Sequence, residues 1–338
     1  MSARRDGKTR RLISGMLLAA FAVLFGTLPL WTGDYWTRIW TGVAMWAGLA
    51  ASWNIIGGYA GYISFGQVAF FGIGAYATAL LMQPGLDWNF FLTLPVGATA
   101  AGLFALVVGW PTLRLRGAYF AIATWAMAEA LAQITTAVDF TGGSFGLSTP
   151  GNPSTWFFYY AMLVACVFIY AITWFLMERS RFGFKVKAVR DDEMAARSLG
   201  IDTNAVKIQA FMLSAVFPAV LGGINAYWIT FINPQSVLAS DITDQMVVMA
   251  LVGGLGSAWG PALGAAALYL VSNWLGAEYG SSTLYIAIIG AVVALVVLFL
   301  PDGIMGLLPQ ARRIGLTRQI LRRTVAVERR TVPPEHRG

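Results

Sequence analysis

Asp191, Asp192 and Glu193 stand directly ahead of the run Met194-Ala195-Ala196-Arg197-Ser198-Leu199-Gly200. An aspartate at the start of such a run, Asp191 or Asp192, can accept the free N–H groups of a first helical turn, and a glutamate there suits the helix dipole. Glu193 and Arg197 are four residues apart, acid first, the order that supports a helix. Gly200 is placed to end it. Met194, Ala195, Ala196 and Leu199 then form a small apolar surface on a short capped helix. The chemistry of such a surface is docking: a knob that enters a groove on a soluble partner. The alternative is a helix lying flat on a membrane. Ahead of the helix the stretch from Glu178 is basic, with five Arg or Lys, ending at Arg190, in its first thirteen residues. A plain connector between membrane spans needs far fewer residues than 178–205.

A second group of polar residues lies inside apolar sequence. Glu129, Gln133 and Thr136 recur at helical spacing and share one face. An ionised carboxylate at mid-membrane costs about 2.5–3.5 kcal/mol or more, so Glu129 is expected to face the bundle interior or water. Two readings stand: a polar lining of a solute path, or a hydrogen-bonded strap between helices. Ser64, Gln67, Asn54 and Asn225 are weaker candidates of the same kind. Two glycine-rich interruptions, GGYAGYISFGQVAFFGIG at 57–74 and GGLGSAWGPALG at 253–264, break apolar runs. Backbone leaves the helix within a membrane only where protein or a water-filled cavity satisfies it. Paired breaks in two halves of a chain point to half-helices beside a translocation path. Gly58, Gly61, Gly66, Gly253, Gly254 and Gly256 are read as such irregular segments. Gly72, Gly74 and Gly264 are read as close helix packing.

Catalysis is disfavoured. The only cysteine, Cys166, sits in an apolar run, and the only histidine, His336, lies in the polar tail. That pair cannot make a Cys/His zinc site or a Cys–His dyad, so no catalytic residue, metal ligand or cofactor site is assigned to this chain. Gly7-Lys8-Thr9 lacks the earlier glycine and the preceding strand of a phosphate-binding loop. The basic residues carry no interleaved stacking aromatics, so nucleic acid is not an expected partner.

These residues must be positioned by membrane helices. The hydrophobic fraction is 57% and the charged fraction 12% in 338 residues, far from the roughly 25% charged of soluble chains. An all-α polytopic membrane protein of about ten helices is expected, surrounded by lipid. A span needs about 20 apolar residues; the candidates are 12–31, 37–56, 61–82, 90–110, 117–138, 156–177, 206–229, 242–256, 260–277 and 283–300. The eighth and ninth are short and glycine-rich, and could be a re-entrant pair. With both termini cytoplasmic, 22 of the 23 Lys and Arg fall inside and only Arg38 falls outside, as the positive-inside rule requires. The domains are then a basic N-terminus 1–11, a transmembrane domain 12–310 and a basic tail 311–338. The tail is either a solvated flank or a short amphipathic helix on the inner leaflet.

The segments GYAGYISFGQVAFFGIGAY at 58–76, RLRGAYFAIATWAMAE at 114–129 and RSRFGFKVKAVRDDEMAARSLGI at 179–201 together resemble the permease subunits of branched-chain amino-acid ABC importers, the LivM type. TGGSFGL at 141–147 and MALVGGLGSAWGPALGA at 249–265 add to the likeness, which spans roughly residues 40–308. The third segment resembles the EAA coupling loop, with Glu193, Ala195, Ala196 and Gly200 at matching positions. The resemblance implies a bacterial inner-membrane location and a second, LivH-type permease. It also implies two ABC ATPase subunits carrying the ATP and Mg, and a periplasmic binding protein. Such permeases commonly carry Gln and His where this chain has Tyr62 and Gln67, and relatives of the family serve urea, short amides or other carboxylates. A stand-alone secondary transporter, with Glu129 as its coupling residue, is the competing class. On the sequence alone Glu193→Lys is expected to leave insertion intact and to uncouple ATP hydrolysis from uptake. Glu129→Gln is expected to fold normally and to change uptake modestly; abolished uptake by a normally assembled variant would show that the carboxylate itself is needed.

Overall fold

In hydrocarbon a chain must satisfy its own backbone, and this apolar sequence does so as helices. The computed structural model describes residues 25–280 apart from 153, together with 290, 291, 294, 298 and 303–307. The basic ends 1–11 and 311–338, most of the expected first span and nearly all of the expected last one lie outside the described residues.

Residues 25–31 are helical. Helix α1 (Asp34–Asn54) follows and continues through a π-turn, Ile55–Tyr59. α2 (Gln67–Leu81), α3 (Phe90–Thr112), α4 (Ala118–Ala137) and α5 (Thr155–Trp174) come next, and α5 also ends in a π-turn, Phe175–Arg179. Two short helices, α6 (Arg181–Asp191) and α7 (Glu193–Ser198), form the charged loop. α8 (Thr203–Ile229), a single turn α9 (Pro234–Val237), α10 (Ser240–Gly253) and α11 (Gly260–Tyr279) complete the bundle. The only strands among the described residues, β1 (Leu147–Ser148) and β2 (Phe231–Ile232), pair antiparallel in the connections before α5 and after α8.

The molecule is a mostly helical membrane protein, but the expected count of about ten spans is not what the described residues display. Five helices are long and apolar enough to cross: Asp34–Tyr59, Phe90–Thr112, Thr155–Arg179, Thr203–Ile229 and Pro234–Gly253. The expected span 61–82 begins late, at Gln67, because Ala60–Gly66 is irregular. Its 15 residues reach only about 22 Å at 1.5 Å per residue, short of a hydrocarbon core of about 30 Å.

The core forms around α8, which packs on α2 and α3 and also touches α1 and α5. Small residues set that approach. A Cβ on Gly74 would collide with the Ala219 carbonyl, and one on Gly222 with the Phe71 carbonyl. Gly264 likewise lies against the Met249 carbonyl, which brings α11 onto α10. Without a hydrophobic drive between helices in lipid, this backbone contact is what association rests on. α4 is different: only Phe120, Thr124, Ala128 and Thr135 along it are buried.

Gly74→Leu must push backbone apart, since the obstacle is a carbonyl and not a movable side chain. A loss of about 2 kcal/mol or more is expected, read as a lower thermal unfolding temperature in detergent. Gly151→Ala, at a position with nothing within 4 Å, is the matched control and should leave unfolding unchanged.

Candidate functional site: a charged loop tied to two glycine breaks

The loop is built from its caps. Ser180 opens α6 by accepting from the Phe182 and Gly183 N–H groups at 3.1 and 3.4 Å. α6 buries Gly183, Val186 and Val189 on one stripe. Asp192, rather than Asp191, opens α7: its Oδ1 accepts from the N–H groups of Met194 at 2.8 Å and Ala195 at 3.0 Å. Gly200 closes the turn after α7 at φ +81°, a conformation suited to glycine. On α7 only Ala196 is buried; Met194 and Leu199 are 61% and 82% exposed, and Phe184 on α6 is 66% exposed. Ala195 is exposed as well. The outward apolar surface therefore consists of Phe184, Met194, Ala195 and Leu199, and Ala196 drops out of it.

Glu193 drops out as well. Its side chain is only 11% exposed and points into the bundle. Its Oε1 accepts from Lys207 Nζ at 2.9 Å and Thr203 Oγ1 at 3.3 Å, with an Arg197 nitrogen at 3.4 Å. Its Oε2 accepts from the Tyr62 hydroxyl at 3.1 Å and pairs with Arg116 at 3.2 Å. Lys207, 4% exposed, also donates to the Leu113 carbonyl at 3.2 Å and sits over the Tyr62 ring. One carboxylate thus joins α7, the start of α8, the α3–α4 turn and the segment after α1. Burial pushes the Glu193 carboxyl up, but the hydrogen bond and charge of Lys207, the Tyr62 hydroxyl and Arg116 outweigh it and hold it below the usual value. The uncoupling expected of Glu193→Lys would then act through the attachment of the loop as well as through its surface. A lysine there would face Lys207, Arg116 and Arg197, and the loop would lose its attachment.

Arg190 reaches the glycine breaks. Its NH1 donates to the Gly58 carbonyl at 2.7 Å. Its stem fills the space beside Gly61, and NH1 the space beside Gly256, where a Cβ would meet it. Gly61 (φ +77°) and Gly256 (φ +69°) both lie in the left-handed region. The two breaks are stitched to each other by Asn54. Its Nδ2 donates to the Ser257 carbonyl at 2.9 Å, and its Oδ1 accepts from the Gly256 N–H at 2.9 Å. Trp53 Nε1 donates to the Ser64 carbonyl at 2.7 Å. The Tyr59 hydroxyl donates to Glu178 Oε1 at 2.9 Å, while Lys187 holds Glu178 Oε2 at 3.0 Å.

The sequence reading took these breaks as interruptions within spans. The structure places residues 60–66 and 254–259 between helices, at the same end of the bundle as the loop. The candidate path residues gather unevenly. Gly61, Ser64, Gly66 and Gln67 form one break and the start of α2; Gly253, Gly254 and Gly256 form the other. Gln67 is fully buried, donating to Ser214 Oγ at 3.2 Å with its own Oε1 unpartnered. Asn225 is buried along α8. Glu129 and Gln133 join neither group. Gln133 Nε2 donates to Glu129 Oε1 at 2.9 Å, Glu129 is half-buried and Gln133 exposed. Within this chain Glu129 does not face the interior, because the inward stripe of α4 runs through Phe120, Thr124, Ala128 and Thr135. Sequence reasoning missed Tyr59, Lys207 and the inward turn of Arg190. A lysine at the head of a long apolar helix was the available signal, since a buried cation needs a counter-charge. Among the described residues no group of His, Cys, Asp and Glu could hold a metal ion.

Residues 35–300 match the family model described as branched-chain amino acid transport system / permease component. The chain belongs to this permease family. Accordingly it is a membrane transport permease and not an enzyme. The chain is 27% identical to the high-affinity branched-chain amino acid transport system permease protein LivM of Escherichia coli K12, over 91% of this chain and 77% of that protein. It is 23% identical to the probable branched-chain amino acid transport permease protein LivM of Methanocaldococcus jannaschii, over 78% of this chain and 92% of that one. Likeness to the LivH permease protein of Escherichia coli K12 is 26%, over 76% and 90% of the two chains. No solved structure matches the chain.

In this permease Glu193→Gln leaves Lys207 buried with a weakened partner. A loss of about 3 kcal/mol is expected, and adding Lys207→Met should recover part of it, a non-additivity measured by thermal unfolding of the four proteins. Because the folded carboxyl is held low, its contribution is present above the ordinary value of 4.5 and is lost as pH falls below it. Proteolytic protection of the loop in wild type should hold at neutral pH and fall in that acid range, and in Glu193→Gln it should lack this step.

Proposed function

We propose that the chain is a transmembrane permease subunit of an ATP-binding-cassette importer that moves branched-chain or related amino acids into a bacterial cytoplasm. The observation that carries this reading is the loop: two capped helices with Phe184, Met194 and Leu199 exposed, held to the bundle by a largely buried Glu193. A connector has no use for a rigid exposed apolar surface; a docking element for a soluble motor requires both features. Arg190, Asp191, Asp192, Glu193, Ala195, Ala196, Leu199 and Gly200 make up the coupling element in this proposal. Met194, Ala195 and Leu199 touch the ATPase, and Arg190 and Glu193 hold the helix in place.

The importer would contain a second, LivH-type permease, two ATPase subunits that carry ATP and Mg, and a periplasmic binding protein. Similarity to both LivM and LivH permeases supports a paired arrangement. Both termini and the loop would be cytoplasmic in the inner membrane, with 12–310 as the transmembrane domain. In a paired arrangement the open flank of α4 bearing Glu129 and Gln133 would face the path or the second permease and not lipid, which the cost of a mid-membrane carboxylate favours. Urea, short amides and other small carboxylates are the alternative solutes, given Tyr62 and Gln67. Of these, Tyr62 bonds Glu193 and Gln67 bonds Ser214, so both positions also have a packing role.

Leu199→Asp combined with Met194→Asp puts charge on the outer surface and touches no bond of the Glu193 hub. The variant should insert and unfold like wild type while ATPase copurification falls at least tenfold and uptake is lost. Solute uptake by the purified chain with no ATPase present would overturn the proposal in favour of a secondary transporter.

A further inference from the structure

Three side chains of the charged loop converge on the short stretch from Gly58 to Tyr62. Glu178 holds the Tyr59 hydroxyl at 2.9 Å, Arg190 holds the Gly58 carbonyl at 2.7 Å, and Glu193 holds the Tyr62 hydroxyl at 3.1 Å. Just before that stretch, the carboxamide of Asn54 at the end of α1 holds the second break through bonds of 2.9 Å to Gly256 and Ser257. The loop's apolar hold on the bundle is slight by comparison: α6 buries Gly183, Val186 and Val189, and α7 buries Ala196. Displacement of the loop is therefore transmitted mainly through directional, charge-assisted bonds. Arg190 is the central member, since its stem lies in the gap beside Gly61 and its guanidinium beside Gly256, so that it touches both breaks at once. A side chain at either glycine would expel it.

We propose that Arg190 is a positioning residue that makes segments 55–66 and 254–259 move as one body with the coupling helix, so that the paired breaks are the inner gate of the solute path. The proposal rests on the importer reading and adds to it the mechanical route from motor to gate. The breaks are suited to the task. Residues 60–66 are irregular between a π-turn and the late start of α2, and π-turns recur at functional sites. Their glycines at positive φ accept geometry that other residues do not, which makes the gate a shaped object and not a loose loop.

The test uses the complete importer in proteoliposomes, with Cys166 replaced by Ser and Ser257→Cys as a reporter for a thiol reagent applied from the ATPase side. Arg190→Ala should still copurify with the ATPase, because Met194 and Leu199 are untouched. Solute taken up per ATP hydrolysed should fall at least tenfold, and the ATP-dependent change in Ser257→Cys labelling should disappear. Arg190→Lys, which keeps a cation within reach of the Gly58 carbonyl, should restore part of both. If Arg190→Ala does not assemble, Tyr59→Phe with Tyr62→Phe removes two of the three links without altering charge and should lower the same ratio. Wild-type uptake per ATP in Arg190→Ala or in the double Tyr variant, or unchanged ATP-dependent labelling, overturns the linkage. Loss of ATPase copurification in Arg190→Ala also overturns it, by making Arg190 a docking residue. A purified complex that contains the unaltered chain and hydrolyses no ATP would instead remove the importer reading beneath it.

Discussion

A buried carboxylate must be surrounded by donors or it will not remain charged, and Glu193 is surrounded from four directions. The donors come from three separate parts of the chain: Tyr62 follows α1, Arg116 lies between α3 and α4, and Thr203 and Lys207 open α8. Removing water from one anion therefore fixes four elements at a single point. The apolar bundle alone would leave these ends free to slide, because dispersion between helices in lipid is weakly directional. Buried charge pairs are a poor source of net stability, and their better use is registry. Here the registry is that of the loop helix against the membrane helices.

The glycines divide by what they approach. Gly74, Gly222 and Gly264 let one helix backbone reach another's carbonyls, and so they serve packing. Gly61 and Gly256 combine left-handed backbone with the space taken by Arg190, and so they serve the loop. Both kinds sit in the same glycine-rich strings of sequence. The difference between them is the identity of the opposing atom, a carbonyl in one case and the Arg190 side chain in the other, and that atom comes from another element of the bundle.

Glu129 shows the same dependence from the other side. Its placement at helical spacing with Gln133 was legible, and the two side chains do bond. Its facing was not. Helical periodicity says which residues share a face, but the inward face of α4 is chosen by what Phe120, Thr124 and Ala128 can pack against. Glu129 is left at the flank, beyond the cover one chain provides.

The sequence by itself determined the class, an all-α polytopic membrane protein, because apolar runs of span length are summed local properties. It also determined the capped helix after Asp192 and its end at Gly200, since caps are settled within a few residues. Only the tertiary structure decided that Glu193, Ala196 and Arg190 turn toward the bundle. It alone placed both glycine breaks beneath the loop. Such choices depend on contacts such as Arg190 with Gly58 and Asn54 with Ser257. The local chain cannot specify them, because the two halves of each bond are brought within 3 Å only by the packing of the whole bundle.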